Sequence, residues 1–88
     1  MEIGRDDDGA NRGFFIRHPK ANNSHSSTDI TMAQYFNIKY NEYIKLLEKW
    51  GAKKYVSEYY FETKEDTEKF LNSKDLEPHL ILARLCND

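Results

Sequence analysis

The chain has 88 residues, 15 acidic side chains against 13 basic ones and a net charge of −2, a balance that lacks the basic footprint of a general nucleic-acid binder. With 39% hydrophobic and 14% aromatic residues it is too apolar for a disordered chain. Its apolar runs span only a few residues, so no transmembrane helix is predicted.

A chain of this length reads as one domain, 1–88, burying about 60 to 65% of the surface its unfolded form exposes. That leaves little room for both a core and an enclosed active site. The opening MEIGRDDD carries no apolar signal-peptide core. Cys86 is the single cysteine, which excludes an internal disulfide. A soluble cytoplasmic protein is expected.

In chain order, residues 1–12 contain only Met1, Ile3 and Ala10 as apolar groups, too few to repay an ordering cost of about 1 to 2 kcal/mol per residue. A flexible segment is predicted there. Its acidic cluster fails as a calcium loop: counting from Asp6, the third ligand position falls on Ala10, the glycine position on Asn11 and the closing position on Arg17. Residues 13–18, GFFIRH, read as a strand ending at Pro19. The polar connection 20–28 is longer than the roughly 4 to 6 residues usual in compact domains.

Residues 31–50 read as one long helix. Thr31 and Gln34 have capping-box spacing, Ile30 and Tyr35 stand as a hydrophobic staple, and Asp29 favours the helix dipole. Met32, Phe36, Tyr40, Tyr43, Leu47 and Trp50 then fall within a stripe about 80° wide. Gly51 supplies a left-handed stop. Residues 53–61, KKYVSEYYF, read as an aromatic strand, and 64–73 as a short helix capped by Thr63. Pro78 helps to end that helix, and the aliphatic run 79–85, HLILARL, reads as a last strand. The order β-α-β-α-β implies an α+β or small α/β fold. In it, a three-stranded sheet carries two helices on one face as a two-layer sandwich.

No motif for catalysis emerges. Glu62, Thr63 and Lys64 match the Glu-x-Lys element of metal-dependent nucleases, but that element belongs inside a strand, and Thr63 sits at a helix cap. His18, His25 and His79 lack metal-ligand spacing. No catalytic residue, metal site or cofactor is assigned, and the protein is read as a non-enzyme.

A binding surface follows from strand alternation. An unpaired charge on the covered side of a sheet costs several kcal/mol, so the sides bearing Arg17, Glu58 and Arg84 should face away from the helices. The resulting open face displays Phe15, Arg17, Val56, Glu58, Tyr60, Leu80, Leu82 and Arg84, unless residues 1–12 fold back over it. Aromatic, Arg and aliphatic groups together have the composition of interface cores. The expected function is a small protein-binding module, an inhibitor or modulator of the kind phages and mobile elements carry. The alternative is single-stranded nucleic-acid binding, with Phe15 and Tyr60 stacking bases and Arg17, Arg84, Lys53 and Lys54 meeting phosphates. Self-association through the same sheet face is a third reading.

Overall fold

Glycine sets the first hairpin. In the computed structural model, which describes residues 1–6, 13–18, 28–56 and 58–87, strand β1 (Glu2–Asp6) pairs antiparallel with β2 (Gly13–Arg17), placing Gly4 opposite Phe15. The Phe15 ring lies across the bare glycine; a Cβ on Gly4 would stand 2.6 Å from Phe15 Cζ. On the other side of the ribbon Ile16 enters the core. The expectation of a flexible 1–12 is thus corrected over Glu2–Asp6: backbone pairing with β2, rather than burial of its few apolar groups, organises that stretch. Residues 7–12 and most of the connection 20–28 lie outside the described residues.

A second hairpin corrects the predicted strand 53–61. Strand β3 (Lys53–Tyr55) pairs antiparallel with β4 (Glu58–Tyr60), Lys53 opposite Tyr60. The chain reverses at Val56, which has a φ of 55°. A β-branched residue seldom adopts that conformation, and no Gly, Asn or Pro marks the turn. One bridge joins the two hairpins: Phe14 and Phe61 each donate N–H to the other's carbonyl at 2.8 Å.

The predicted helix 31–50 is two helices, α1 (Thr28–Phe36) and α2 (Tyr40–Lys49). Asn37, at φ 57°, ends α1 in a Schellman motif, Asn37 N–H donating to Gln34 O and Ile38 N–H to Ala33 O, both at 3.1 Å. Asn is the residue after Gly that best tolerates this conformation. The same motif recurs at Gly51, whose N–H reaches Glu48 O while Ala52 N–H reaches Leu47 O. Since α1 begins at Thr28, Thr31 lies within the helix and is buried rather than capping it.

Helix α3 (Lys64–Leu71) starts where Thr63 Oγ1 accepts the Asp66 N–H at 3.1 Å. Helix α4 (Glu77–Asn87) replaces the predicted strand 79–85. Leu, Ala and Arg favour helix over strand, and Pro78 is tolerated in a first turn, where its missing N–H has no intrahelical partner. Ser73 prepares that turn: its Oγ accepts Leu76 N–H and its carbonyl accepts Glu77 N–H.

Among the described residues the fold is therefore α+β with two two-stranded antiparallel sheets and four helices, not a three-stranded sheet carrying two helices. Its core is an aromatic chain. Ring centroids run from Tyr35 to Phe36 (5.4 Å), Tyr43 (5.9 Å), Phe70 (6.3 Å) and Phe61 (5.3 Å), linking α1, α2, α3 and the hairpin bridge. Such pairs add about 0.5 to 1.5 kcal/mol each beyond the area they bury. Met32, Leu47, Leu76 and Ala83 fill in around them.

Candidate protein-binding face

As a helix, α4 sorts its apolar residues into two opposite faces. Leu76, just before it, and Ala83 are buried, while His79 and Leu80 are half-buried. At 100° per residue Ile81, Leu85, Pro78 and Leu82 fall within a sector about 100° wide on the other side. All four are exposed, Ile81 at 49%, Leu82 at 57% and Leu85 at 77%. Exposed single aliphatics are ordinary, but a contiguous stripe along a helix is the kind of surface that marks an interaction site. The residues stand at i, i+3, i+4 and i+7, the anchor spacing of a helix seated in a groove.

Charges border the stripe on one side. Glu77 and Arg84 are exposed at its two ends, and among the described residues neither takes part in an ion pair. Beside the N-terminal half lies a hollow of about 350 Å³ lined by Lys74, Glu77, Pro78 and Ile81. On the opposite flank a cleft of about 420 Å³ runs between α4 and the end of α1, lined by residues that include Gln34, Ile38, His79, Leu82 and Cys86.

The eight residues assigned to an open sheet face do not share one surface. Phe15 and Tyr60 meet, rings edge to face at 5.8 Å, but Tyr60 is only 6% exposed and its hydroxyl donates to Asp6 Oδ2 at 3.1 Å. Burial and that hydrogen bond to Asp6 push its phenol well up. Arg17 is half-buried beside Glu2 of β1, its Nε 3.6 Å from the carboxylate. Val56 is exposed in the β3–β4 turn. Leu80 packs on the core, while Leu82 and Arg84, two residues apart on a helix, point about 160° away from each other. Period-two alternation counted from Arg84 puts Ile81 and Leu85 on the covered side of a strand, whereas the helix exposes both. The 4,3 spacing of Leu76, Leu80 and Ala83 is the signal that marks the inner face instead.

Glu58 belongs to a different constellation. Asp29, 4% exposed, accepts the Tyr59 N–H through Oδ2 at 2.8 Å and donates its own N–H to Glu58 Oε2 at 3.2 Å. Burial pushes the Asp29 carboxyl up to about 7, with the neighbouring Glu58 charge and the hydrogen bond between the two carboxyls adding to it against the Tyr59 N–H. A hydrogen bond between two carboxyls requires a proton on one of them. The Tyr40 and Tyr43 phenols are raised in turn, first by burial and then by these acids. The arrangement ties the start of α1 to β4.

Among the described residues no group of three or more His, Cys, Asp or Glu is placed to hold a metal ion, and no helix is long and apolar enough to cross a membrane. No protein-family model, no curated protein and no solved structure matches this chain.

Proposed function

We propose that this chain is a small non-enzymatic protein-binding module that inhibits or modulates a larger protein or complex, docking through the outer face of α4. The observation that carries this reading is the uncovered i, i+3, i+4, i+7 stripe of Pro78, Ile81, Leu82 and Leu85 on a helix whose other face packs on the core through Leu80 and Ala83. Burying one such side chain contributes about 1.5 to 3 kcal/mol, so the loss of a single anchor is readable as a change in affinity of about tenfold or more. A cytoplasmic setting accompanies the reading, on the strength of a lone unpaired cysteine. The nucleic-acid reading loses support, because Tyr60, one of its two stacking platforms, is buried and Phe15, the other, is half-buried.

The test is capture with the tagged protein from cells that contain it, followed by titration of the purified partner. Leu82→Glu and Leu85→Glu each weaken binding tenfold or more, as truncation of central anchors does, with the circular dichroism spectrum unchanged. A partner that binds both variants as tightly as the unmodified chain refutes the docking face.

A further inference from the structure

We propose that the outer face of α4 pairs with the same face of a second copy of this chain, antiparallel, about a two-fold axis that passes near Ile81. The inference rests on reading that face as the binding surface and names its occupant.

The face is complementary to itself. Leu85 is a knob, 77% exposed, and the hollow lined by Lys74, Glu77, Pro78 and Ile81 lies about two turns toward the helix N-terminus on the same stripe. Arg84 and Glu77 stand on one flank of the stripe at opposite ends, about 20° apart around the axis, both exposed. A two-fold axis perpendicular to two antiparallel helices sets like flanks side by side in reversed order. Leu85 of each copy then enters the hollow of the other, and Arg84 of each falls beside Glu77 of the other.

The two sets of contacts agree on one register. The midpoint of Pro78 and Leu85 is position 81.5 and that of Glu77 and Arg84 is position 80.5, a difference of about 1.5 Å along the helix. A parallel pairing would instead set the flank bearing Glu77 and Arg84 against the opposite flank of the partner, which carries His79, Leu82 and Cys86, so that neither charge meets its opposite, and would align the helix dipoles unfavourably. An eleven-residue helix is about 16 Å long, so the interface lies at the small end of the range and association is weak and concentration-dependent. Since Leu85 is used in both, dimerisation and capture of another protein exclude each other.

Sedimentation equilibrium of the full chain from about 10 µM to about 1 mM spans the affinities expected of such an interface. The weight-average mass rises toward twice that of the monomer. Leu85→Glu, an exposed site that leaves the fold intact, holds the chain monomeric. Glu77→Arg and Arg84→Glu each raise the dissociation constant at least fivefold, and the double exchange Glu77→Arg with Arg84→Glu restores it to within about twofold of the original, as mutually compensating charges do. A monomer at every concentration overturns the inference. So does a dimer indifferent to Leu85→Glu, or a double exchange no better than the singles. A chain that stays monomeric while Leu85→Glu abolishes capture of another protein overturns self-pairing and leaves the docking face standing. A dimer that obeys the charge exchange, beside capture that ignores Leu85→Glu, upholds self-pairing and removes the hetero-partner reading.

Discussion

Phe14 and Phe61 exchange both of their backbone hydrogen bonds at 2.8 Å, and this one pair joins β2 to the end of β4. The close approach depends on the residue before it. Gly13 has a φ of +135°, and a Cβ there would stand 2.5 Å from Phe61 O and 2.7 Å from Tyr60 Cβ. Gly13→Ala therefore costs about 3 kcal/mol or more, combining backbone strain with displacement of the bridge. Gly51→Ala is the control: its φ is +97° but nothing lies within 4 Å of the added carbon, so only the conformational cost of about 1 to 2 kcal/mol remains. Urea unfolding of the two variants measures the difference, and equal losses would dissolve the claim of a close approach.

Asp29 makes stability depend on pH in an unusual direction. Its carboxyl rises from an ordinary 3.8 to about 7 in the folded chain, so between those values the folded form keeps a proton that the unfolded form has released. Stability from this group is full at about pH 4 and is lost as pH rises through about 7. Between about pH 5 and about pH 8 the loss is roughly 1 to 3 kcal/mol. Asp29→Asn keeps the acceptor for Tyr59 N–H and flattens the profile. Thermal melts across this range that coincide for the two proteins would show that Asp29 and Glu58 do not share a proton.

The break between α1 and α2 makes Ile38 a structural residue. In one continuous helix Ile38 faces solvent opposite the aromatic stripe, with Trp50 within that stripe. As the residue that closes the Schellman motif it packs against the core, and Trp50 is only half-buried, its Nε1 donating to Asp75 Oδ2 at 3.0 Å. Phe36→Ala then costs about 3 to 5 kcal/mol, and Ile38→Ala about 1 to 2 kcal/mol. A loss below about 0.5 kcal/mol for Ile38→Ala would favour the unbroken helix.

Two substitutions on either side of α4 separate helix from strand. Leu76→Ala, at a fully buried position, costs about 2 to 5 kcal/mol, whereas Leu85→Ala changes stability by less than about 0.5 kcal/mol. A strand over 79–85 buries Ile81, Ala83 and Leu85 together, and would make Leu85→Ala costly.

The first hairpin is testable by hydrogen exchange. Alternate amides of Glu2–Asp6, those directed at β2 in an antiparallel ladder, exchange more slowly than in the unfolded chain. Free exchange throughout 2–6 would return that stretch to a flexible segment.

Local signals in this chain are legible because they act over three or four residues. Thr63 before Asp66 and Gly51 after Trp50 determine a helix start and a helix end through hydrogen bonds made within one turn. Buried Met32, Phe36, Tyr43 and Leu47 follow from their shared periodicity even though two helices carry them, since each helix keeps its own part of the stripe inward. The exposed face of α4 is illegible for a related reason: period-two alternation on 79–85 places Leu80 outside, and the same aliphatic run on a helix exposes Ile81 and Leu85 in its place.

What the sequence by itself determined is composition, local caps and the apolar periodicity of each short segment. Tertiary structure alone decided where segments reverse and what they pair with. Val56 turns the β3–β4 hairpin in a conformation its own side chain disfavours, and Asn37 ends α1 within an otherwise unbroken apolar stripe. Glu2–Asp6 becomes a strand through β2 rather than through its own apolar content. The Phe14–Phe61 bridge, the Asp29 bond to Tyr59 and the aromatic core tie these segments to groups far along the chain. Such contacts outweigh local preferences of about 1 kcal/mol per residue.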